Sequence, residues 1–203
     1  MAMSAEDITV TGSRVSKARL EELGDLKLYR IPERVTVASN SQKQVAMLEQ
    51  GAVKVRTVYR SRIGSGEPDE RPPVTQLLIT RNRASEGLGL PLPAGRLVLF
   101  GAGRERPLLL GEGFVEDRAV GEDVEIEIAQ ASGVVARATK LAETGEWLLT
   151  VTNDQAQPIA FEMEIYDDPP IRSATRLERR DGRSLWAVTV PANGSASLRY
   201  RLR

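Results

Sequence analysis

The sequence contains neither cysteine nor histidine among its 203 residues. Without cysteine there are no disulfides, thiolate nucleophiles, zinc–thiolate sites or iron–sulfur clusters. Without histidine there is no Ser-His-Asp triad, and the commonest general base and metal ligand is missing. We therefore expect a protein that is not an enzyme, with no catalytic residues, no cofactor and no metal site.

Three further shortages narrow the class of protein. Aromatic residues make up only 4% of the chain, so aliphatic side chains must fill the interior. The 28 basic and 28 acidic residues balance, whereas nucleic-acid binders usually carry a basic excess and stacking aromatics, so we expect no nucleic acid as partner. No apolar run approaches the roughly 18 residues of a membrane-spanning helix, and the first residues do not resemble a signal peptide. We therefore expect no membrane span.

Apolar and polar residues alternate along most of the chain, which is typical of β-strands with one wet face. The clearest examples are Val124–Ile128, where Glu125 and Glu127 alternate with aliphatic residues, and Phe161–Ile165. Short strands are separated by turn sequences such as Asp181-Gly182 and Asn193-Gly194. This spacing predicts an all-β fold of the β-sandwich type.

The predicted organisation has three parts. Residues 1–24 form an N-terminal extension or linker, residues 25–118 a first β subdomain, and residues 119–203 a second, immunoglobulin-like β-sandwich subdomain. The two subdomains are expected to pack against each other. At most one short helix is predicted, beginning at Ser16 and closed by Gly24.

The most distinctive stretch is Gly87-Leu-Gly-Leu-Pro-Leu-Pro-Ala-Gly95. Its glycines permit positive φ and its prolines hold an extended chain, so Leu88, Leu90 and Leu92 fall on one side. Exposed, these leucines would be a candidate contact for a partner; buried, they would join the two subdomains. Both interpretations remain open on the sequence.

A phosphate-binding loop is excluded in the segment that follows. A phosphate-binding loop that began with Gly101 and Gly103 would need a third glycine three residues later, and a helix would have to begin there. The residue at that position is Arg106, and Pro107 blocks a helix. The glycines are therefore predicted to form a turn between two strands.

Several other groups have a chemical and a structural interpretation. Asp167 and Asp168 are adjacent acids, interpreted as a solvated turn because neighbours in a strand point to opposite faces. Asn193-Gly194-Ser195 fits a glycosylation sequon but lies where a hairpin turn is predicted. An acidic group without the alternation of a calcium loop comprises Glu112, Glu116, Asp117, Glu122 and Asp123. Arginine groups, interpreted as solvated, comprise Arg176, Arg179, Arg180, Arg183, Arg199, Arg201 and Arg203.

Residues 28–203 resemble the C-terminal domain of unknown function of bacterial mucoidy-inhibitor-like envelope proteins. The resemblance is carried by Leu28-Tyr-Arg-Ile-Pro, Ser41-Gln-Lys-Gln-Val-Ala-Met-Leu, Gly87–Gly95, Leu110-Gly-Glu-Gly and Trp186-Ala-Val-Thr-Val-Pro. The resemblance implies an all-β domain in the bacterial periplasm or cell envelope, and it brings no catalytic residues. Separately, Asp7-Ile-Thr-Val-Thr-Gly-Ser-Arg14 is similar to the start of the plug of outer-membrane TonB-dependent receptors.

These observations favour a non-catalytic β-sandwich protein-interaction or structural module of the cell envelope, with an envelope protein as the expected partner. The oligomeric state is open. A carbohydrate-binding module is the alternative, and it requires Tyr29, Tyr59 or Trp147 exposed in a groove. A carboxylate-based hydrolase is the third, and it requires two acids about 5–10 Å apart in a cleft.

Overall fold

The computed structural model describes residues 19–23, 26–30, 36–37, 39–40, 46, 48–66, 68, 71–101, 106–166 and 168–203. The chain divides into two compact units, Met1–Gly51 and Ala52–Arg203. The described residues form strands and one 3₁₀ turn, with no α-helix, so the predicted all-β class is confirmed. No helix in this described part has the length and apolar composition that crossing a membrane requires.

In the first unit, strands β1 (Arg19–Leu23) and β2 (Leu26–Arg30) pair antiparallel, with Leu23 opposite Leu26. The predicted helix from Ser16 to Gly24 is therefore wrong for residues 19–23; residues 16–18 lie outside the described residues. A helix this short gains few hydrogen bonds for the cost of its first turn. The sequence Gly24-Asp25 between the paired leucines is one that favours a two-residue hairpin connection.

The second unit contains the remaining twelve described strands and the 3₁₀ turn Ala84–Glu86. The strands are β3 (Arg56–Gly64), β4 (Thr75–Arg81), β5 (Gly95–Gly101), β6 (Leu108–Val115), β7 (Asp123–Gln130), β8 (Val134–Lys140), β9 (Trp147–Asn153), β10 (Ile159–Tyr166), β11 (Ile171–Arg172), β12 (Glu178–Arg180), β13 (Arg183–Val190) and β14 (Gly194–Leu202). The two strands that show the clearest alternation, Val124–Ile128 and Phe161–Ile165, lie within β7 and β10 and are each extended by one or two residues at both ends.

These strands form a six-stranded sheet in the order β12-β13-β10-β3-β4-β7, a four-stranded sheet in the order β11-β14-β9-β8, and the separate hairpin β5-β6. Strands β10 and β3 pair in parallel. Every other pair of neighbouring strands in the six-stranded sheet is antiparallel. Strands on both sides of the predicted boundary at residues 118 and 119 thus share one sheet. The division at that boundary and the immunoglobulin-like arrangement stay predictions.

The two larger sheets contribute side chains to one hydrophobic cluster. Trp147, Leu149 and Val151 of β9 and Phe161, Met163 and Ile165 of β10 are buried in it, as the alternation predicts. Trp147 stacks on Tyr200 with ring centroids 6.2 Å apart, and Trp186 meets Phe161 edge to face at 6.1 Å. Five of the eight aromatic residues whose side chains are described lie in this core.

Candidate functional site

Arg60 and Arg62 lie on the face of β3 that points away from the main core. The alternation fixes this face, because Tyr59 and Ile63 of the same strand belong to the core. The parallel register of β10 places Glu162 beside Arg60 and Glu164 beside Arg62. Arg60 and Arg62 are therefore each paired with a glutamate of β10.

Charges of alternating sign continue across the sheet in two lines, which we call the charged rows. The first row consists of Arg180, Glu162, Arg60 and Glu125, and the second consists of Arg183, Glu164, Arg62 and Glu127. Each row takes its members from β3, β7 and β10 and from the β12–β13 hairpin. Arg60 and Arg62 pair with the adjacent strand β10 and also reach across β4 to β7, so the rows join strands that are distant in the sequence.

The first row is closely hydrogen-bonded. Arg60 donates from Nε and Nη2 to Oε2 of Glu162 at 2.9 and 2.7 Å, and both of its terminal nitrogens donate to the carboxylate of Glu125. Arg180 donates from Nη1 to Oε2 of Glu162 at 2.7 Å. Planar guanidinium groups match carboxylates in this two-point manner. The side chain of Arg60 is only 4% exposed, so its charge depends on these partners.

The second row is looser and more exposed. Arg62 donates from Nε to Oε2 of Glu164 at 2.9 Å, and its Nη1 lies 3.8 Å from the carboxylate of Glu127. Arg183 approaches Glu164 at 3.6 Å and lies over the ring of Tyr166 at 4.5 Å from the ring centroid. The side chain of Arg62 is 48% exposed, so water screens its charge.

The first row holds its members in their charged forms. Hydrogen bonding from Arg60 is the main reason that the pKa of Glu125 lies below its ordinary value. Burial alone would raise the pKa of Glu162, but hydrogen bonds from Arg180 and Arg60 outweigh it, and the pKa is lowered. Burial likewise opposes the charge of Arg60, and its carboxylate partners nevertheless raise its pKa. The carboxyl groups of Glu125 and Glu162 are therefore ionised at neutral pH.

Sequence reasoning missed this network. Alternation predicts that Glu162 and Glu164 face water, yet both are buried because they pair with arginines. The available signal was the shared spacing of two in Arg60-Ser-Arg62, Glu125-Ile-Glu127 and Glu162-Met-Glu164. The spacing alone does not indicate which arginine pairs with which glutamate, because Arg60 and Glu162 are 102 residues apart in the chain.

The leucine stretch is held in place by Asn82, a buried residue that the sequence did not single out. Its Nδ2 donates to the carbonyls of Leu90 at 2.8 Å and Ala119 at 2.9 Å, and its Oδ1 accepts from the amide of Gly89 at 2.9 Å. Leu92 is joined to Arg118 by two backbone hydrogen bonds of 2.9 Å. The loop is therefore fixed at both ends of its apolar segment.

The glycines of this loop have the positive φ angles that the sequence predicts, 89° at Gly87 and 94° at Gly89. A Cβ on Gly87 would strike the carbonyl of Ala52, and one on Gly89 would come within 2.8 Å of a backbone nitrogen. Among the candidate contact residues, Leu88 and Leu92 are half-buried and Leu90 is 36% exposed. Their role as a partner contact stays a prediction.

A larger apolar surface lies just beyond this loop, on the β5–β6 hairpin. Register pairs Phe100 with Leu109 and Arg96 with Phe114, and directly opposed residues share a face. Phe100 is 59% and Phe114 60% exposed. Val98, Phe100, Leu109 and Phe114 are exposed and share one face in this register, and we call these four residues the hairpin face. Leu108 and Leu110 are also exposed, but Leu108 opposes Gly101 on the other face and Leu110 lies at an irregularity of the register. Residues 102–105, where a turn is predicted, lie outside the described residues.

The opposite side of the hairpin packs on β7 through glycine. A Cβ on Gly111 would overlap the side chain of Ile128, and one on Gly113 would meet the carbonyl oxygen of Glu127. Only residues without a side chain let two backbones approach this closely. The hairpin is thus seated against β7 by its glycine side, which leaves its apolar side exposed.

Two members of the predicted acidic group accept backbone hydrogen bonds. Asp117 accepts a hydrogen bond from the amide of Ala94 at 2.7 Å, and Glu122 accepts one from the amide of Ala119 at 2.7 Å. No group of three or more acidic residues in the described ranges could hold a metal ion. Asp168 is exposed, and Asp167 lies outside the described residues. Asn193, with a φ of 48°, begins the predicted turn between β13 and β14.

The aromatic residues that a sugar-binding groove would need lie mostly inside. Tyr59 and Trp147 are buried in the core. The side chain of Tyr29 lies outside the described part of the structure. Exposed rings occur instead at Phe100 and Phe114 of the hairpin face and at Tyr166, which is covered on one side by Arg183.

No protein-family model, curated protein or solved structure matches the chain. What the protein does must then be inferred from its own surfaces. Two are distinctive: the charged rows on the six-stranded sheet and the hairpin face beside them.

Replacing Arg60 should destabilise the protein far more than replacing Arg62, two residues along the same strand face. Arg60→Met leaves two carboxylates without their buried partner and is expected to lower the free energy of unfolding by about 3–5 kcal/mol. Arg62→Met removes a half-exposed guanidinium from the buried Glu164, which keeps Arg60 at 3.7 Å and Arg183 at 3.6 Å, so it should cost less, about 1–2 kcal/mol. Urea unfolding of both variants measures the difference, and equal losses would contradict the assignment of the first row as the buried one.

Removing the side chain of Asn82 should loosen the leucine loop. Asn82→Ala leaves the amide of Gly89 and the carbonyl of Leu90 without their partner, and it should lower the free energy of unfolding by about 2 kcal/mol. Ser85→Ala, an exposed change in the same loop, serves as control with an expected effect below about 0.5 kcal/mol. An Asn82→Ala variant as stable as the control would show that the hydrogen bonds of Asn82 do not hold the loop.

Proposed function

We propose that the protein is a non-catalytic protein-interaction or structural module of the bacterial cell envelope, and that the hairpin face is its contact surface. The observation that carries the proposal is the exposure of four large apolar side chains on one face of a two-stranded hairpin. Proteins rarely expose a contiguous apolar patch of this kind unless another surface covers it. The partner that we expect is an envelope protein.

The leucine loop extends this surface. Leu90 is exposed in a loop that Asn82 fixes, and the chain runs from Leu92 directly into β5. A preorganised loop loses little conformational freedom when it binds, so more of the contact energy appears as affinity. Leu88, Leu90 and Leu92 are accordingly proposed as the margin of the contact, with the hairpin face at its centre.

The placement in the periplasm or cell envelope is supported by the sequence resemblance alone. The motif Gly87–Gly95, which carries much of that resemblance, forms the fixed loop, and Leu110-Gly-Glu-Gly forms the glycine seat of the hairpin. Both motifs therefore shape the proposed contact surface. A protein without cysteine is also compatible with export, although export does not require it.

The electrostatics of the charged rows support a non-catalytic role. A carboxylate-based hydrolase needs one carboxyl group that keeps its proton near neutral pH. Glu125 and Glu162 have pKa values below the ordinary range because arginines bind them. Their arrangement is that of a structural ion-pair network.

We also propose that the two larger sheets form an immunoglobulin-like sandwich. Their shared core and the inward-facing aromatic residues support this arrangement. The proposed second subdomain, residues 119–203, supplies eight of the ten strands in these two sheets, with β3 and β4 as the others.

A carbohydrate-binding module is the second candidate, favoured by one observation. Phe100 and Phe114 are exposed on one hairpin, and exposed aromatic rings are the usual platforms for sugar rings. The burial of Tyr59 and Trp147 argues against a groove elsewhere among the described residues.

A crosslinked pull-down from envelope extract tests the proposed function. The wild-type protein should capture a specific protein, and the double variant Phe100→Ser/Phe114→Ser should lose it because the centre of the contact is removed. Val120→Ser is the matched control, since Val120 is 54% exposed but lies outside the hairpin. Circular dichroism and thermal unfolding establish that each variant is folded.

Capture that survives the double variant would contradict the hairpin face as the contact surface. If the wild type retains no protein but binds insoluble envelope polysaccharide through the same two phenylalanines, the carbohydrate alternative replaces the proposal.

A further inference from the structure

The hairpin face combines exposed apolar side chains with two residues of opposite charge that are unpaired among the described residues. It carries one basic and one acidic residue on the same side, because Arg96 opposes Phe114 and Glu112 opposes Val98. Neither Arg96 nor Glu112 has an ion-pair partner within the described residues. Both are exposed.

The exposed area can be compared with what a stable dimer buries. The four apolar side chains of the hairpin face are 43–60% exposed. With about 150–250 Å² for a large aromatic residue and somewhat less for an aliphatic one, they present on the order of 400 Å² of apolar surface. A standard interface buries about 800 Å² on each partner, with polar residues at its rim, and weaker complexes bury less. The hairpin face, its two charged residues and the exposed Leu108 and Leu110 beside it form one side of an interface at the small end of this range.

We infer that a second copy of this chain occupies the hairpin face, in a two-fold symmetric dimer in which Arg96 of each copy pairs with Glu112 of the other. A two-fold axis between these residues, parallel to the face, brings each guanidinium to the opposite carboxylate. The same operation places apolar side chains against apolar side chains, as a self-complementary interface requires. This inference rests on the proposed function and names the partner of the same surface.

The glycine seat of the hairpin favours this mode of association. Gly111 and Gly113 hold the hairpin against β7, so its position does not depend on the partner. The leucine loop, fixed by Asn82, leads into the same hairpin. A preorganised surface of this kind needs little rearrangement to pair with its copy.

Sedimentation at increasing protein concentration tests the inference. The wild type should be dimeric at micromolar concentrations. Arg96→Glu should weaken the dimer at least about tenfold, because it sets two carboxylates against each other across the axis. Glu112→Arg should do the same for two cations. The double variant Arg96→Glu/Glu112→Arg should restore the dimer, because it exchanges the charges and keeps the pairing, and Val120→Ser should leave it unchanged.

A wild type that stays monomeric would overturn the inference, and so would a dimer that Arg96→Glu leaves intact or that the double variant does not restore. The outcome separates this inference from the proposed function. A monomer that still captures another protein through Phe100 and Phe114 overturns self-association alone. Thermal unfolding is measured for each variant, so that loss of folding is not taken for loss of the dimer.

Discussion

The guanidinium group of Arg60 is the contact on which the rest of the second unit depends. It is buried, and it is held by Glu162 of β10 and Glu125 of β7, which come from opposite sides of its own strand. An unpaired buried charge would cost several kcal/mol, whereas a paired one is tolerated. The position of β3 between β10 and β4 is therefore favoured by electrostatics as well as by backbone pairing. This arrangement joins residues on both sides of position 118 into one sheet.

The six-stranded sheet thus has two faces that are stabilised by different means. One face buries aliphatic and aromatic side chains against the four-stranded sheet, where the hydrophobic effect dominates. The other buries Glu162 and Glu164 under arginines, with only Val58, Leu77 and Ile79 as a small apolar cluster. Removing one partner of a buried pair on the second face would leave an uncompensated charge, so the pairing favours this arrangement of strands over others. The apolar hairpin beside it is the surface left for partners.

Most of the strands could be predicted from the sequence, because a period of two identifies a half-buried strand without knowledge of its neighbours. The alternation identifies Phe161, Met163 and Ile165 as one face of a strand. The turns at Asp181-Gly182 and Asn193-Gly194 were predictable from their residue types. The charged rows could not be predicted, since burial of Glu162 depends on Arg60, which is distant in the sequence. The same limit applies to β1, because Arg19–Leu23 has a helix-like pattern that pairing with β2 overrides. Positive φ at Gly87 and Gly89 was predictable, but the role of Asn82 was not, because nothing local indicates which carbonyls it binds.

A double-mutant cycle on Arg60 and Glu162 tests the central claim most directly. Free energies of unfolding are measured for the wild type, Arg60→Met, Glu162→Gln and the double variant at neutral pH, and again as the pH is lowered. We predict a coupling energy of at least about 1 kcal/mol at neutral pH. Because the folded-state pKa of Glu162 is lowered, its contribution is present above the ordinary glutamate pKa and should disappear as the pH falls through the lowered value. Additive effects at neutral pH, or a coupling energy that acid does not reduce, would contradict the claim that this buried ion pair holds the sheet together.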